Sequence, residues 1–503
     1  MTNVTPPTLP AAQVCEHARK SRDARFDGLF FTAVTSTGIY CRPVCPAPAA
    51  KRSNVRYFAN AAAAEAEGFR PCLRCRPELA PGNDHWRHAN DVVSRALALI
   101  ESGALAEHSL EQLATRVGVG ARQLRRLFVE HVGAPPISVH TTRRLLFAKQ
   151  LLTETALPVT EVALASGFRS LRRFNAAFAH ANHIQPRELR RRPQAGSDTH
   201  LVLRLAYRPP YAFDELLAFL RTRALPGVEH VDEHSYSRVF GTADAPGWLR
   251  VSAWPGDVHA LRLQVHCPQS SQLLGVVTTL RRMFDLNANP QAIADAFQHD
   301  SLLGPLVARR PGLRLPGGWD GFEIAVRAVL GQQISVAAAR TLATRTVQRW
   351  GAAIANPPLP ELDHLFPTPA ALAQADLGEI GLTRARATTV RSMAQALLDG
   401  RVDFRAEQSL QEFVSRWVAL PGIGDWTAQY IAMRTLSNPD AFPAADLILR
   451  REASSDATAL TTKALILRAV AWQPWRAYAV MHLWRGSADH PPAKLPITSR
   501  RSR

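Results

Sequence analysis

Three hydrophobic patterns along the chain predict three kinds of local structure. In LFFTAVTSTGIYC, residues 29–41, β-branched and aromatic residues surround Thr37 and Gly38, which predicts two strands joined by a turn. Residues 201–284 mix strand-like stretches (LVLRLAY, LRVSAW and ALRLQVH) with amphipathic helical ones (DELLAFLRTRA and SQLLGVVTTLRRMF). Beyond residue 284 we expect every element to be helical.

The middle of the chain contains one helical pattern twice. SLEQLATRVGVGARQLRRLFVEH begins with Ser109 and Gln112 spaced as a capping box, turns at Gly118 to Gly120, and continues as an arginine-rich helix. The pattern returns in VTEVALASGFRSLRRFNAAFAHA. Two such helix-turn-helix units can place helices in successive major grooves of DNA, about 34 Å apart. For each candidate DNA contact a solvated helix face is an equally good alternative; the candidates are Arg125, Arg126, Arg172 and Arg173.

Turn-forming residues mark two breaks in the apolar pattern, at Pro81 to Asp84 and at Arg190 to His200. A chain of 503 residues is too long for one core, so roughly three or four domains are expected. The breaks divide the chain into a small cysteine-bearing head, a helical middle and a long C-terminal half.

Charge and composition narrow the range of partners. The formal net charge of +18 indicates a polyanionic partner, with nucleic acid first, because clustered Lys and Arg bind phosphates by releasing counterions. No run of about 18 apolar residues is found, which argues against a membrane protein. The first residues, MTNVTPPTLPAAQV, lack the features of a secretion signal, so we expect a cytoplasmic protein, located on the nucleoid. Paired cysteines in the cytosol more often bind metal than form disulfides.

Four of the six cysteines have the spacing of metal ligands. They form a C-x3-C pair, a gap and a C-x2-C pair, and the four are Cys41, Cys45, Cys72 and Cys75. Four thiolates at such spacings can surround one Zn²⁺ tetrahedrally. A purely structural zinc ribbon is the alternative to a reactive site. Cys15 and Cys267 are isolated and are interpreted as packing residues.

The C-terminal half contains a second candidate DNA-binding motif. In LPGIGDWTAQYIAMR, Gly422 and Gly424 surround one apolar residue just before a helical pattern, which is typical of a helix-hairpin-helix motif that holds a DNA phosphate. DAFPAADLILRR follows, with Asp446 at the head of a helix. Alone, an aspartate at this position is more often a helix cap than a catalyst.

The head and the middle resemble a known family. TGIYCRPVCPA, NVRYFAN and GFRPCLRCRPE are similar to the N-terminal domain of the Ada DNA-alkylation-repair regulators, and residues 88–193 resemble an AraC-type DNA-binding domain. The resemblance implies that Cys41 is both a zinc ligand and the acceptor of a methyl group from a methylated DNA phosphate. Arg42 beside it is a candidate DNA contact. No Pro-Cys-His-Arg-type sequence follows, so transfer from O6-alkylguanine is not implied.

Residues 200–487 resemble a different family, the AlkA-type 3-methyladenine DNA glycosylases of the helix-hairpin-helix superfamily. The likeness lies in RPPYAFDELLAFLRTRALPGVE, RRMFDLNANPQAI, RPGLRLPGGWDGFEIAVRAVLGQQISVAAA and PWRAYAVMHLW. It implies that Asp446 is the catalytic carboxylate. It also implies that Trp426, Trp484 and Tyr430 line the base pocket and that Gln333 lies where a side chain wedges into DNA. An ordinary polar loop residue is an equal alternative for Gln333.

Two expected absences follow from the same comparison of motifs. Strand-nicking members of the superfamily place a lysine just after the hairpin, where this chain has Trp426, so a monofunctional glycosylase is expected. No cysteine follows Cys267, so no iron–sulfur cluster is expected.

The predicted fold class is multidomain and mainly α, with α+β parts. The expected units are a small zinc α/β domain (1–83), two helix-turn-helix units (88–193), a small α+β sheet domain (198–286), a helical helix-hairpin-helix glycosylase domain (287–490) and a basic tail (491–503). The expected function joins methyl-phosphotriester repair, transcription regulation and hydrolytic excision of alkylated purines. The expected partners are double-stranded DNA, as alkylated DNA and as a promoter site, and RNA polymerase. The protein is expected to be a monomer and to bind one Zn²⁺. The alternative is a DNA-binding regulator whose C-terminal half has lost its chemistry.

Overall fold

A computed structural model gives the fold of the chain. It describes residues 9–82, 92–190, 200–256, 258–405, 407–454 and 458–489. The predicted fold class, multidomain and mainly helical with α+β parts, is confirmed.

The head domain is a small four-stranded sheet with two helices, α1 (Ala12–Ser21) and α2 (Ala61–Ala66). Its strands lie in the order β3-β1-β2-β4, and they are β1 (Phe31–Val34), β2 (Ile39–Cys41), β3 (Val55–Phe58) and β4 (Arg70–Pro71). The predicted strand pair is confirmed as the antiparallel β1–β2 hairpin. Strand β4 pairs in parallel with β2, so the residues that follow both strands leave the sheet side by side.

The middle of the chain is helical throughout its described residues and contains both predicted helix-turn-helix units. Its helices are α3 (Val92–Glu101), α4 (Ala104–Glu107), α5 (Leu110–Arg116), α6 (Ala121–Val132), α7 (Pro136–Glu154), α8 (Val159–Ala165), α9 (Leu171–Asn182) and α10 (Pro186–Leu189). The predicted capping box is confirmed, because Ser109 and Gln112 exchange hydrogen bonds at the start of α5. Gly118 and Gly167 make the two turns with φ of 81° and 79°, a region in which glycine is unstrained.

A five-stranded antiparallel sheet begins the C-terminal half. Its order is β5-β9-β8-β7-β6, with β5 (Leu201–Ala206), β6 (Glu229–Val231), β7 (Ser235–Gly241), β8 (Pro246–Ala253) and β9 (Ala260–His266). Helices α11 (Phe213–Arg221) and α12 (Leu273–Met283) accompany it. The sequence patterns identified β5, β8, β9 and both helices but missed β6 and β7. Six of the seven residues of β7 are buried, so this strand has no alternation of apolar and polar positions.

The remainder is a helical domain. Its helices are α13 (Pro290–Phe297), α14 (Leu303–Arg309), α15 (Gly321–Leu330), α16 (Val336–Trp350), α17 (Pro369–Ala373), α18 (Arg384–Leu398), α19 (Leu410–Val418), α20 (Asp425–Thr435), α21 (Leu447–Glu452), α22 (Thr462–Arg468) and α23 (Arg476–Asp489). The prediction that every element here is helical is wrong in one place. Two-residue strands β10 (Ala352–Ala353) and β11 (His364–Leu365) pair with each other, and a pairing of two residues leaves no periodic signal in the sequence.

One apolar core extends across a predicted domain boundary. Phe168, Phe174 and Phe178 of the second helix-turn-helix unit lie in the same buried cluster as Leu203 and Leu263 of the sheet. The boundary itself, residues 191–199, lies outside the described residues, as do the break after Gly82 and the predicted basic tail at 491–503. The middle and the sheet therefore share a core although they were expected as separate domains.

None of the helices in the described parts of the chain combines the length and the apolar composition needed to cross a bilayer.

Candidate functional sites

The four predicted zinc ligands meet at one end of the head sheet. Cys41 ends β2 and Cys72 directly follows β4, and the Cys72 N–H donates to the carbonyl of Tyr40 at 3.0 Å. The Sγ atoms of all four cysteines lie within 4.8 Å of one another. Cys72 and Cys75 are buried, whereas Cys41 and Cys45 are partly exposed. The solvent-facing side of the cluster thus contains the predicted methyl acceptor.

The cluster fits a zinc ion. Ligands about 2.3 Å from a tetrahedral Zn²⁺ are about 3.8 Å from each other, and the four sulfurs are already grouped at that scale. Each of the buried sulfurs accepts a backbone hydrogen bond: the Arg42 N–H donates to Cys75 Sγ at 3.3 Å and the Arg74 N–H to Cys72 Sγ at 3.4 Å. The backbone therefore holds two ligands in place around a common centre.

The Arg42 side chain, a predicted DNA contact, points into the head domain. Its guanidinium forms an ion pair with the Asp27 carboxylate, through Nε at 2.8 Å, and donates to the Cys75 carbonyl at 3.1 Å. Only 12% of the side chain is exposed. This geometry favours a supporting role for Arg42 behind the cysteine cluster.

The predicted DNA contacts of the middle lie on the second helix of each helix-turn-helix unit. Arg125 and Arg126 are exposed on α6, and Arg172 and Arg173 are exposed on α9. Arg125 lies 3.8 Å from Glu111, but both side chains are more than half exposed, so this pair holds the arginine weakly. All four side chains are available to a partner that approaches these helices.

In the helical domain, three helices bring the predicted pocket residues together. Trp426 and Tyr430 lie on α20, Asp446 precedes α21, and Trp484 lies on α23. The Trp426 indole N–H donates to Asp446 Oδ2 at 3.0 Å, and the Trp484 indole N–H donates to Oδ1 at 3.2 Å. Oδ1 also accepts the Leu449 N–H at 3.1 Å, so the carboxylate caps α21 as well. Asp446 is half-buried, which leaves it open to a ligand.

Tyr430 packs against both tryptophans of this aromatic cluster. Its ring lies parallel to that of Trp426, at 4° and 5.4 Å between centroids, and 6.4 Å from that of Trp484. Arg434, one helical turn further along α20, donates to the Tyr430 hydroxyl at 2.8 Å. Burial raises the pKa of Tyr430, but the guanidinium charges of Arg434, Arg223 and Arg327 outweigh it and lower the pKa below its usual value.

The hairpin that precedes α20 depends on one glycine. Gly422 has φ of 78°, and a Cβ at this position would lie 2.0 Å from Thr389 Oγ1 on α18. Gly424 has φ of −92° and open space around it, so only Gly422 is required by the packing.

The candidate wedge residue lies on a loop fixed to this hairpin. Gln333 is exposed between α15 and α16 with φ of 57°, an uncommon backbone conformation for a residue with a side chain. The adjacent Gln332 donates to the Gly422 carbonyl at 3.0 Å and to Thr427 Oγ1 at 3.1 Å. The loop and the hairpin thus form one surface.

Sequence reasoning missed two residues of this site. Arg434 follows Tyr430 by four positions, a spacing that places both on one helix face and could have identified the pair. Gln332 had no such signal, because its partners lie about 90 residues away along the chain.

Four family models match consecutive parts of the chain. The metal binding domain of Ada matches residues 14–78, a helix-turn-helix domain 113–192, the AlkA N-terminal domain 202–320, and the HhH-GPD superfamily of base excision DNA repair proteins 326–477. Together with the geometry, these matches define a DNA repair protein with a zinc site formed by the four cysteines.

Similar proteins and structures agree with this class. A Mycobacterium tuberculosis protein named "Probable bifunctional transcriptional activator/DNA repair enzyme AlkA" is 38% identical over 96% of this chain and 97% of its own length. DNA-3-methyladenine glycosylase 2 of Escherichia coli is 35% identical over 56% of this chain and 95% of its own length. The structure of 3-methyladenine DNA-glycosylase from Archaeoglobus fulgidus covers 58% of this chain and 99% of its own, with a TM-score of 0.50 and 20% identity, which shows a common fold. The chain belongs to the AlkA family of bifunctional transcriptional activator/DNA repair enzymes.

The packing at the hairpin predicts different effects for its two glycines. Gly422→Ala should destabilise the helical domain by about 2 kcal/mol, or roughly 4–8 °C in Tm, because of its left-handed backbone and the contact with Thr389. The matched control Gly424→Ala should change Tm by less than about 2 °C. Thermal unfolding followed by tryptophan fluorescence measures both variants. Equal losses in the two variants would contradict the explanation.

Proposed function

We propose that the C-terminal half excises alkylated purines of the 3-methyladenine type from DNA by hydrolysis, that the head accepts methyl groups from DNA phosphotriesters, and that the middle binds a promoter. The observation that carries the glycosylase proposal is the Asp446 carboxylate held by two indole N–H groups inside an aromatic pocket. The similarity to DNA-3-methyladenine glycosylase 2 over 95% of that protein supports the same assignment.

The pocket chemistry suits a cationic base. Alkylation on a ring nitrogen makes a purine positively charged, and the π faces of Trp426, Tyr430 and Trp484 attract such a ring by stacking and cation–π interaction. The nucleotide must leave the base stack to reach the pocket, at a cost of a few kcal/mol that is lowest for damaged pairs. We propose that Gln333, on the exposed loop beside the hairpin, inserts into the gap that the flipped nucleotide leaves in the base stack.

The Asp446 carboxylate then acts at the sugar. As the bond between the sugar carbon and the base nitrogen breaks, its electron pair moves to the base, and positive charge develops on the sugar. Asp446 stabilises that charge and positions a water molecule that attacks the same carbon. The water loses a proton to the Asp446 carboxylate, and the products are the neutral free base and an abasic site. Trp426 stands where a strand-nicking enzyme needs an amine, so we propose that no strand cleavage follows.

In the head, the proposed nucleophile is the Cys41 sulfur, on the exposed side of the cluster. When bound, Zn²⁺ keeps the cysteine sulfurs deprotonated at neutral pH. The sulfur attacks the methyl carbon of the phosphotriester in line, a sulfur–carbon bond forms, the carbon–oxygen bond breaks, and a phosphodiester anion leaves. The ligand set loses one negative charge, which reduces its repulsion of DNA phosphates. We propose that Arg42 positions Cys75 and Asp27 and does not contact DNA directly.

The middle supports a regulatory role through its two exposed arginine pairs. We propose that residues 1–83 form the zinc methyl-acceptor domain and residues 88–193 the promoter-binding domain. Residues 198–286 then form the α+β sheet domain, and residues 287–490 form the glycosylase domain. We also propose that the protein acts as a monomer in the cytoplasm, on the nucleoid, because two helix-turn-helix units in one chain reduce the need for a dimer, and that RNA polymerase is a partner of the promoter-bound form. A regulator without glycosylase chemistry is disfavoured by the intact contacts around Asp446.

The glycosylase proposal predicts a large effect of one substitution. Asp446→Asn should lower the rate of base release from methylated DNA at least about 100-fold, because the amide cannot stabilise the positive sugar or accept a proton. Release of free base is measured by chromatography under single-turnover conditions. Asp399→Asn, an exposed carboxylate at the end of α18, is the control and should keep the full rate. Equal rates for wild type and Asp446→Asn would end the enzyme interpretation.

The methyl-transfer proposal predicts a single modified residue. After incubation with duplex DNA that contains methyl phosphotriesters, peptide mass spectrometry should find one added methyl group, on Cys41. A Cys15→Ser variant, which removes a cysteine outside the cluster, should be labelled to the same extent. A methyl group on Cys45, Cys72 or Cys75 in place of Cys41 would refute the assignment.

The DNA-binding proposal predicts a change in salt dependence. If Arg172 and Arg173 both contact phosphates, the double variant Arg172→Ala/Arg173→Ala should reduce the slope of log K against log salt by about 2. Fluorescence anisotropy with an undamaged duplex measures the slope. Arg401→Ala, an exposed arginine beyond α18, is the control and should leave the slope unchanged. An unchanged slope in the double variant would show that both arginines lie on a solvated helix face and do not contact phosphates.

A further inference from the structure

One fully buried arginine, Arg208, joins the head domain to the C-terminal half. It follows strand β5, and its Nε donates to the Asp27 carbonyl in the head at 2.8 Å. Its Nη1 donates to the Asn287 carbonyl at 2.5 Å and to the Ala288 carbonyl at 3.1 Å, just before α13. Its Nη2 donates to the carbonyls of Pro81 and Gly82 at the end of the head. One guanidinium therefore binds carbonyls of the head and of the helical domain together.

The burial of Arg208 makes these contacts depend on one another. A guanidinium without exposed surface must place its N–H groups on protein acceptors, since a buried charge that loses them carries a large desolvation penalty. If the head moved away, the Asp27 carbonyl would no longer accept from Nε. The side chain would then have to reach water or a new acceptor, and its contacts at Asn287 and Ala288 would be disturbed.

The backbones at this junction approach each other too closely for side chains. A Cβ on Gly28, which has φ of 74°, would lie 2.0 Å from the Pro81 carbonyl oxygen. A Cβ on Gly82 would lie 2.9 Å from the Asn287 side chain, which accepts the Gly82 N–H at 3.0 Å. The turn at Asp27 and Gly28 thus fits directly against the end of the head at Pro81, and the end of the head at Gly82 fits against Asn287.

On its other side the junction leads to the cysteine cluster. The carboxylate of Asp27 pairs with Arg42, whose N–H donates to Cys75 Sγ and whose guanidinium donates to the Cys75 carbonyl. A metal ion that fixes Cys75 therefore also fixes Arg42 and the Asp27 turn. Arg208 is the next contact in the series.

The contacts continue from Arg208 toward the candidate active site. The Arg208 carbonyl accepts a hydrogen bond from the Arg314 guanidinium at 2.6 Å. The backbone N–H of the next residue, Leu315, donates to one carboxylate oxygen of Asp285 at 3.1 Å. The same Asp285 oxygen accepts the Tyr478 hydroxyl at 2.8 Å, and Tyr478 lies on α23, the helix that carries Trp484.

We propose that the head domain is a permanent docked part of the C-terminal half, held by Arg208, so that zinc in the cysteine cluster stabilises the segment at residues 286–289. The docking surface consists of Arg208, Asn287 and Ala288, and its partner is the Asp27–Gly28 turn of the same chain. This coupling of zinc to residues 286–289 concerns stability and not a reaction, so it is independent of both proposed chemistries.

Hydrogen exchange of the full-length protein, followed by mass spectrometry, tests the coupling. In the wild type, removal of zinc by a chelator should raise exchange at residues 286–289 about tenfold, as well as in the head. In Arg208→Gln, exchange at 286–289 should be high with zinc bound and should not rise further on chelation. Arg221→Gln, which loses one exposed hydrogen bond of the same domain to the Asp232 carbonyl, should behave like the wild type.

A second variant covers the case in which Arg208→Gln fails to fold. Gly28→Ala leaves Arg208 intact but pushes the turn away from Pro81, and it should abolish the response of residues 286–289 to zinc. If chelation of the wild type raises exchange in residues 39–45 and leaves residues 286–289 unchanged, the head is an independent domain and the proposal is wrong.

Discussion

The candidate active site depends on the hydrogen bonds that two tryptophans donate to one carboxylate. Trp426 and Trp484 come from helices α20 and α23, and each donates its indole N–H to a different oxygen of Asp446. An indole has one N–H, so this bond sets the direction of the whole ring. The same contacts that hold the carboxylate therefore also orient the aromatic walls of the pocket. A supporting ion pair lies behind them, because Arg476 at the start of α23 binds Asp440 in the loop that leads to Asp446, at 2.7 and 2.6 Å.

This geometry changes how an aspartate at the start of a helix is interpreted. From the sequence, Asp446 was more simply a helix cap than a catalyst, and the structure shows that it does cap α21, through Leu449. A carboxylate has two oxygens with about four acceptor sites, so capping uses only part of its capacity. The remaining sites accept from the tryptophans and face the pocket. Capping and catalysis are compatible roles here, and the cap fixes the side chain that the chemistry would use.

The sequence predicted those features that depend on local spacing. The two cysteine pairs, the β1–β2 hairpin, the capping box at Ser109 and the hairpin turn at Gly422 each lie within a short stretch whose chemistry permits few arrangements. The features it missed depend on contacts between distant segments. Gln332 meets the hairpin across about 90 residues, β7 is buried on both faces by other elements, and Arg42 turns inward because Asp27 lies beneath it. A family resemblance could identify the pocket residues, but not the polar contacts that hold them.

The fusion of two repair proteins in one chain has a physical consequence in the packing. Separate domains joined by linkers would each bury their own core, but here Phe174 and Phe178 of the second helix-turn-helix unit lie in the core of the following sheet. The head is attached in a similar way, because the buried Lys149 of α7 pairs with the buried Glu78 of the head at 2.9 Å and also donates to the Cys72 carbonyl. If the head and the middle separated, one charge of this pair would stay buried without its partner, which is strongly unfavourable. The contact therefore favours a fixed orientation of the head relative to the middle. The cysteine cluster is thus joined to the helix-turn-helix region, and that region to the following sheet, by buried polar and apolar contacts.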